Sequence, residues 1–273
     1  MKVAVTGGTG FIGDYVVKNL LNLNHKVLVT GTNLNKAKER EWFKEVDFHI
    51  FKIEDLHNQN VIMEISKCDK LIHLAWQGLP NYKKLFHLER NLFNQYFFLK
   101  KIIELGLKDL TVTGTCLEYG LKQGALPKDC VTNPVIPYSI AKDTLRKLLF
   151  ELSKHNKFDL KWLRLFYMYG NGQSKTSILA QLENALENDE IEFNMSGGDQ
   201  IRDYSKVEKV SNEIVEYSIK NKINGVFNIC SGKPISIKDL VENFIKQKSK
   251  KIKLNLGYYP YNDYEPMSFW GVK

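Results

Sequence analysis

The sequence predicts an α/β protein, a doubly wound parallel sheet followed by a smaller C-terminal lobe. Short apolar runs alternate with longer segments of helical periodicity up to Gly170, which is typical of a parallel sheet with helices on both faces. A glycine-rich turn joins the first apolar run to the first helical segment. The chain of 273 residues is 43% hydrophobic, which is enough for a large core and argues against disorder.

Each element follows from its own stretch of sequence. Buried strands are predicted where apolar and β-branched residues stand together, at 2–7, 26–31, 46–53, 70–76, 109–115 and 160–170. Longer patterns predict helices at 11–23, 88–106, 138–153 and, in the looser part of the chain, near 176–188 and 236–247. We therefore divide the chain into a first domain, 1–170, and a lobe, 171–273, that closes over the carboxyl edge of the sheet. Part of 206–235, including the segment 206–221, is expected to return to the first domain.

Charge and cysteine spacing limit the classes of function. The formal net charge of +8 suits an anionic small molecule, a nucleic acid or an anionic membrane. The lysines are not interleaved with aromatics on a nucleic-acid-binding module, and no apolar run approaches the ~20 residues of a membrane span, so neither nucleic acid nor membrane is an expected partner. No signal peptide pattern opens the chain. The four cysteines lack the spacing of a zinc site or a disulfide scaffold, so a reduced, cytoplasmic enzyme without a metal is expected.

The turn VTGGTGFIG places Gly7, Gly10 and Gly13 between a strand and a helix. Gly7 permits the tight turn, Gly10 lets the backbone approach a pyrophosphate, and Gly13 lets the helix pack closely on the strand. Free N–H groups at the start of the helix then face the phosphates. A glycine-rich turn without a ligand is the alternative. The flanking strand and helix favour a dinucleotide site.

The end of the second strand bears on which dinucleotide binds. NAD-binding proteins usually place Asp or Glu there, which accepts a hydrogen bond from the ribose 2′-hydroxyl. This chain has Gly31, Thr32 and Asn33 instead, followed by cations that include Lys36. The missing carboxylate and the nearby cations favour a 2′-phosphate, so NADP (as NADPH) is expected and NAD is the second choice. The alternative is that these cations only begin a solvated helix.

Seven motifs occur in one order along the chain: TGGTGFIG, HLAW, TGTCLEYG, YSIAK, RLFYMYG, GDQIRDY and NICSGKPISI. In this ordered set the chain resembles the extended short-chain dehydrogenase/reductase superfamily, in its branch of nucleotide-sugar epimerases, dehydratases and reductases. The resemblance covers essentially the whole chain. It implies a Rossmann-type sheet, a nicotinamide cofactor and a nucleotide-sugar substrate.

The resemblance implies a catalytic set of Thr115, Tyr138 and Lys142. Tyr138 would protonate a carbonyl oxygen as hydride arrives, although free tyrosine titrates at about 10, too high for easy proton exchange at neutral pH. Lys142 lies one helical turn later, so its charge would lower that pKa; in the family it also holds the nicotinamide ribose. Thr115 would hold the substrate oxygen. Taken singly, a buried threonine and an ordinary helix pair are the alternatives.

Further ligand contacts follow from the resemblance. Around the cofactor it implies Gly7, Thr9, Gly10, Phe11, Ile12, Gly13, Gly31, Thr32, Asn33, Lys36, Ile53, Leu74, Ala75, Asn91, Tyr138 and Lys142. Around the substrate it implies Trp76, Thr115, Cys116, Tyr167 and Arg202. Asn91 resembles a residue that braces the active-site backbone, with a surface asparagine as the alternative. Arg202 resembles the residue that meets the nucleotide diphosphate, with an interlobe salt bridge as the alternative.

Departures from the family pattern narrow the reaction. Dehydratases carry Asp-Glu directly after the threonine, whereas this chain has Cys116-Leu117, so water elimination is not expected. Glu118 is either an extra catalytic group or a capped or solvated residue. Cys116 is either a small buried residue or one member of an acid/base pair for 3,5-epimerisation. Tyr167 and Lys52 stand where the family often has Asn and Asp, so the substrate and adenine contacts differ from the family pattern.

The resulting hypothesis is an NADPH-dependent reductase of the C4 ketone of a nucleotide-linked, dTDP-type 4-keto-6-deoxyhexose, in surface-polysaccharide synthesis. The ending YEPMSFWG resembles those of bacterial reductases of this kind. A nucleotide-sugar 4-epimerase is the first rival, and a non-catalytic NADP-binding protein the second. The helices at 88–106 and 138–153 carry apolar residues on more than one side. Family members often pair these helices, so a homodimer is expected.

Overall fold

The computed structural model describes residues 1–220 and 223–273 of the chain. The strands among them are β1 (Lys2–Thr6), β2 (Lys26–Gly31), β3 (Asp47–Ile50), β4 (Lys70–His73), β5 (Asp109–Thr115), β6 (Gly124–Leu126), β7 (Asp159–Leu165), β8 (Tyr167–Tyr169), β9 (Glu192–Asn194), β10 (Ile201–Lys206), β11 (Gly225–Ile229), β12 (Pro234–Ser236), β13 (Lys253–Asn255) and β14 (Phe269–Gly271). The α-helices are α1 (Phe11–Asn22), α2 (Leu34–Lys38), α3 (Gln59–Ser66), α4 (Leu92–Glu104), α5 (Pro137–His155), α6 (Ile178–Glu187), α7 (Val207–Ile219) and α8 (Ile237–Gln247). Shorter segments are 3₁₀ turns at Glu41–Glu45 and Cys116–Tyr119 and a π-helical turn at His87–Asn91.

Seven strands form one sheet in the order β11-β7-β5-β4-β1-β2-β3. All neighbouring pairs are parallel. The strand order reverses between β1 and β4, and ligands of doubly wound sheets bind at the carboxyl edge beside such a reversal. The predicted fold class, a Rossmann-type parallel sheet, is confirmed.

Helices cover both faces of this sheet. On one face, α1 and α7 pack against Val3 and Val5 of β1. On the other face, α3, α4 and α5 pack against strand residues that include Ala4 and Leu110. Because successive strand residues point to opposite faces, burial on both sides explains the continuous apolar runs that predicted these strands.

After the lobe has begun, the chain returns to the main sheet. Helix α7 packs on α1, and β11 pairs with β7 at the edge of the sheet. Asn221, the last residue of the segment expected to return, lies outside the described residues. The domain boundary at residue 170 stays a prediction.

The smaller lobe begins where β7 ends. Strand β8 follows after one residue, Phe166, whose N–H donates to the carbonyl of Ile229 at 3.1 Å. Strand β8 then pairs with β10, and β10 pairs with β12, so this second sheet starts at the carboxyl edge of the first. A separate core between α6 and α8, with Phe193 of β9, completes the lobe. The substrate-side residues on β8 and β10 are thereby held beside the ends of the main strands.

The structure differs from the predicted elements at several places. The predicted strand 160–170 is two strands, because the chain leaves the main sheet at Phe166 and enters the lobe sheet. The predicted strand 46–53 is paired only over Asp47–Ile50. Helix α3 was not predicted from the sequence; it starts at the Asn58 cap. None of the helices in the described part of the chain is long and apolar enough to cross a membrane.

Candidate active site

The glycine loop between β1 and α1 has the backbone that its sequence predicts. Gly7 has a φ of +75°, and a Cβ there would lie 2.9 Å from the backbone nitrogen of Ala75. A Cβ on Gly13 would lie 2.3 Å from the carbonyl oxygen of Gly7. Both positions therefore require glycine. The N–H of Gly10 donates to Gly7 O at 3.0 Å, which closes the turn in front of α1.

A cleft of about 210 Å³ runs from this loop along the carboxyl edge. Ten of the residues expected around the ligands line it: Gly7, Thr9, Gly10, Gly31, Thr32, Lys36, Ile53, Leu74, Ala75 and Trp76. Thr30, Phe51 and Gln77 complete the lining. A backbone cradle of glycines, free helix N–H groups and an apolar floor fit the diphosphate and ring of a dinucleotide.

The end of β2 carries no carboxylate, and two of the side chains that follow it make hydrogen bonds within the protein. The side chain of Asn33 accepts a hydrogen bond from the N–H of Lys36 at 3.0 Å and so caps α2. Arg40 donates to the carbonyl of Thr9 at 3.1 Å and lies 3.7 Å from Asp14. Lys36 is exposed and lines the cleft, which makes it a cation free to meet a ligand at this end.

Tyr138 lies in the first turn of α5 and is buried. Its ring centroid lies 5.9 Å from that of Trp76, 5.3 Å from that of Tyr82 and 5.4 Å from that of His87. Burial raises the pKa of Tyr138 above its ordinary value, and side-chain hydrogen bonding with Thr115 acts in the opposite direction. The phenol is therefore protonated at neutral pH, as a proton donor must be.

Thr115 ends β5 and caps the 3₁₀ turn that follows. Its hydroxyl accepts a hydrogen bond from the N–H of Leu117 at 3.3 Å, and its own N–H donates to the carboxylate of Glu118 at 2.9 Å. This reciprocal capping box fixes the hydroxyl at the carboxyl end of the strand, beside Tyr138.

Lys142 lies one turn after Tyr138, on the same face of α5. Its ammonium group donates to the carbonyl of Thr113 at 2.8 Å and lies 4.2 Å from the centroid of the Trp76 ring. Burial lowers the pKa of Lys142 to about 7. Burial also lowers the pKa of His73, to about 3, so this neighbouring imidazole adds no positive charge to the site at neutral pH.

The π-helical turn before α4 holds a neutral histidine against the site. The Nδ1 atom of His87 accepts from Trp76 Nε1 at 3.1 Å and from the amide of Asn91 at 3.2 Å. Its Nε2 therefore carries the proton, which it donates to Asn81 O at 3.1 Å. Asn91 also donates to the carbonyl of Gln77 at 2.9 Å. This network fixes both the Trp76 ring and the backbone of the cleft, and π turns are frequent at functional sites.

Aromatic rings extend from Tyr138 toward the lobe. The ring centroids of Tyr82 and Tyr264 are 6.4 Å apart.

Burial raises the pKa of the Cys116 thiol, so it is not a thiolate at neutral pH. Burial likewise raises the pKa of Tyr167, whose hydroxyl has no hydrogen-bond partner among the described residues. Arg202 forms an ion pair with Glu265 at 2.9 Å.

Glu118 is a structural residue in this arrangement. Its carboxylate is fully buried and accepts from Arg164 Nε at 2.7 Å and from Trp162 Nε1 at 3.0 Å. With the Thr115 N–H, these donors satisfy both oxygens. Of the two non-catalytic alternatives that the sequence left for Glu118, the capping residue fits the structure. A solvated residue does not, because the side chain is fully buried.

The structure brings the predicted residues into two groups along one edge. Phe11, Ile12 and Gly13 form the first turn of α1 behind the glycine loop. Thr115, Tyr138 and Lys142 lie at the far end of the edge, where Trp76 borders both groups. Sequence reasoning missed Tyr82, His87, Tyr264 and Glu265. His87 precedes Asn91 by one turn, which is a detectable signal; the others come from irregular segments. Among the described residues there is no cluster of three or more His, Cys, Asp or Glu side chains suited to a metal ion.

Comparisons with known proteins show which family this chain belongs to. Residues 3–230 match the model of the NAD dependent epimerase/dehydratase family. The chain is 33% identical over 274 residues to dTDP-6-deoxy-L-talose 4-dehydrogenase (NAD(+)) from Aggregatibacter actinomycetemcomitans, with all of both chains covered. It is 28% identical over 265 residues to UDP-glucose 4-epimerase from Halalkalibacterium halodurans, covering 89% of this chain and 79% of the relative.

A solved structure shows the same fold. UDP-glucuronic acid 4-epimerase from Bacillus cereus, in complex with UDP-glucuronic acid and NAD, superposes with a TM-score of 0.85 at 23% identity, covering 100% of this chain and 90% of that one. The family model covers most of the chain, and the relatives are nucleotide-sugar dehydrogenases and epimerases. The chain is therefore an enzyme of the NAD-dependent epimerase/dehydratase family, of the nucleotide-sugar dehydrogenase and epimerase type.

Proposed function

We propose that the protein reduces the C4 ketone of a nucleotide-linked 4-keto-6-deoxyhexose, with a dTDP nucleotide. The observation that carries this proposal is the buried, protonated Tyr138 phenol, which lies beside Thr115 and packs against the ring of Tyr82, itself next to Tyr264. Rings suit the apolar C6 methyl of a 6-deoxy sugar. The full-length similarity to a dehydrogenase of dTDP-6-deoxy-L-talose supports the same substrate class, since that reaction reversed is a 4-ketoreduction.

Each residue has a defined task in this reaction. When bound, the nicotinamide cofactor supplies a hydride to C4. Thr115 holds the carbonyl oxygen by a hydrogen bond, and the Tyr138 O–H gives that oxygen its proton, so the ketone becomes a secondary alcohol. Lys142, in its charged form, stabilises the phenolate that is left until solvent returns the proton.

Epimerisation is the second candidate, and the similarity to UDP-glucose 4-epimerase favours it. An epimerase returns hydride to the same carbon from the other face, so it needs no net cofactor turnover. The Cys116 thiol, whose pKa burial raises, and the structural role of Glu118 leave the neighbourhood of Thr115 without a free base for elimination or for epimerisation at C3 and C5. A 4-epimerase would use the same Thr115, Tyr138 and Lys142 as a reductase, so net consumption of NADPH is what distinguishes the two reactions.

NADPH is the proposed reductant. The end of β2 offers no carboxylate to a ribose 2′-hydroxyl, and the exposed Lys36 lines that end of the cleft. A cation there favours the dianionic 2′-phosphate. The name of the 33% identical relative specifies NAD(+), so the two cofactors must be compared directly.

A homodimer in the cytoplasm, supplying surface-polysaccharide synthesis, completes the proposal. Phe93 and Phe97 of α4, one turn apart, are about half exposed, and exposed apolar patches mark interaction surfaces. A second copy of this face would cover them, so a mass of two chains is expected in solution. The four free cysteines stay reduced in that compartment.

The decisive experiment is incubation with NADPH and a panel of nucleotide-linked 4-keto-6-deoxyhexoses, with NMR of the product at C4. Stoichiometric oxidation of NADPH and a new C4 alcohol are expected with a dTDP-linked donor. Epimerisation of a plain nucleotide hexose without loss of NADPH would identify the second candidate instead. Bound cofactor without turnover of any donor would identify a non-catalytic protein.

A further inference from the structure

Arg202 and Glu265 form a buried ion pair on the lobe side of the site. Arg202 Nη2 lies 2.9 Å from Glu265 Oε2, and the Arg202 side chain is only 2% exposed. Arg202 Nε also donates to Glu265 Oε2 at 3.3 Å, and Nη1 donates to the carbonyls of Ile201 at 2.9 Å and Met267 at 3.2 Å. Four of the five N–H donors of this guanidinium are therefore engaged by the protein, and its charge is balanced by Glu265.

The second carboxylate oxygen of Glu265 is not used by the ion pair with Arg202. The Oε1 atom has no hydrogen-bond partner among residues 1–220 and 223–273, and it is not among the buried polar atoms that lack a partner. After burial, the charge of Glu265 is the largest influence that raises the pKa values of Cys116, Tyr167 and Tyr204. The charge of this carboxylate therefore acts on the residue that follows Thr115 and on the two tyrosines of the lobe sheet.

The side chains around the Arg202–Glu265 pair include tyrosines and a phenylalanine ring. The centroids of Tyr167 and Tyr204 are 5.2 Å apart, and the guanidinium of Arg202 lies 4.7 Å from the centroid of Phe269. The Tyr167 hydroxyl is buried and has no hydrogen-bond partner in the described chain. It can donate to or accept from a group of a bound ligand. A sugar with several hydroxyls satisfies both this group and the free oxygen of Glu265.

We propose that Glu265 is a specificity-determining residue that accepts hydrogen bonds from hydroxyls of a neutral sugar and excludes sugars that carry a carboxylate. This inference rests on the proposed nucleotide-sugar function. A neutral hexose or 6-deoxyhexose donates to Oε1. A hexuronate would place a second negative charge beside Glu265, while the only adjacent guanidinium in the described pocket is already paired. Like charges in a buried site repel strongly.

This proposal is tested with two pairs of probes. The two members of each pair differ only at C6, so a difference in affinity reports on the carboxylate. The pairs are UDP-glucose against UDP-glucuronic acid and dTDP-glucose against dTDP-glucuronic acid. Their dissociation constants are measured by calorimetry on the protein saturated with cofactor, so that the result does not depend on turnover. The variants are Glu265→Gln, Glu265→Asp and a matched control, Glu213→Gln. Glu213 is also a largely buried carboxylate, paired with Lys273 at 2.7 Å on α7, outside the site.

For the wild type, the neutral member of a pair is expected to bind at least about 10-fold more tightly than the acid, as for one unfavourable charge contact. Glu265→Gln keeps an acceptor for Arg202 and removes the charge, so the ratio should fall to about 3 or below. Glu265→Asp keeps the charge and should keep the preference, as should Glu213→Gln. A merely structural role would weaken both members in parallel and leave the ratio unchanged.

Two outcomes would overturn the inference, and they are distinguishable. Equal ratios in wild type and Glu265→Gln would refute the role of Glu265 and leave the nucleotide-sugar function standing. Absence of binding for all four probes would refute the nucleotide-sugar function, and the inference with it.

Discussion

The ammonium nitrogen of Lys142 lies 4.2 Å from the centroid of the Trp76 ring. The family pattern did not suggest this contact, because Trp76 was expected on the substrate side. A cation over an indole face is stabilised by the ring quadrupole. Trp76 therefore favours the charged form of a lysine whose burial lowers its pKa to about 7. The proposed reduction depends on that charge, so we expect Trp76 to act through Lys142.

Trp76→Leu should move the pH dependence of ketone reduction. Without the ring face, the pKa of Lys142 falls further, and a contact of about 1–2 kcal/mol corresponds to about one pH unit. The rate, which declines as Lys142 loses its proton, should decline about one pH unit earlier. Trp76→Phe also loses the hydrogen bond to His87 but keeps a ring, so it should shift less. Identical pH–rate profiles for wild type and Trp76→Leu would contradict this role.

Tyr138→Phe should lower kcat by a factor of about 10³, within the range for loss of a general acid. The ring and its contacts with Trp76, Tyr82 and His87 stay, so cofactor binding should be unchanged. Stopped-flow absorbance of NADPH oxidation measures the turnover rate, and fluorescence titration measures the affinity for the cofactor. A variant with near-normal turnover would show that another group protonates the ketone.

Lys36→Ala should raise the KM for NADPH about 10-fold and leave that for NADH unchanged. The reason is the loss of one charge-assisted contact to a 2′-phosphate, worth about 1.5–3 kcal/mol before solvent screening. Lys38→Ala is the matched control, since Lys38 carries the same charge on the same helix but does not line the cleft. Equal KM values for both cofactors in the wild type would rule out the NADP preference.

The sequence predicted those parts of the site that depend on local pattern. The glycine loop and the Tyr138–Lys142 pair are each short local motifs, and the order of such motifs along the chain is what identified them. Glu265 pairs with Arg202 across 63 residues, and no spacing rule relates two such positions. The role of Glu118 could not be predicted from spacing either, because its partner Arg164 lies 46 residues later, on β7. Long-range pairing, rather than local propensity, decided what these carboxylates do.

Lys142→Met should stabilise the cofactor-free protein while abolishing activity. The pKa of Lys142 is about 7 in the folded state, against an ordinary value of 10.5. The folded state therefore binds fewer protons than the unfolded state between these values, and wild-type stability rises with pH across that window. The cost of the buried charge is fully present below pH 7, so the gain in Tm of the variant, about 2–4 °C, should be largest there. It should shrink as the pH approaches 10.5, in differential scanning fluorimetry. A lower Tm for the variant at pH 6 would contradict this account.

Glu118→Gln should destabilise the fold strongly. Arg164 is 2% exposed and would lose the negative partner of its 2.7 Å ion pair. Breaking a buried pair from one side costs about 3–5 kcal/mol, because the remaining charge stays buried. Urea unfolding should show a lower midpoint with an unchanged slope. Glu151→Gln is the control, since Glu151 lies on α5 in an exposed pair with Lys154 and should change stability by less than about 1 kcal/mol. If Glu118→Gln kept wild-type stability but lost turnover, Glu118 would be a catalytic group after all, and the capping box would not be its main task.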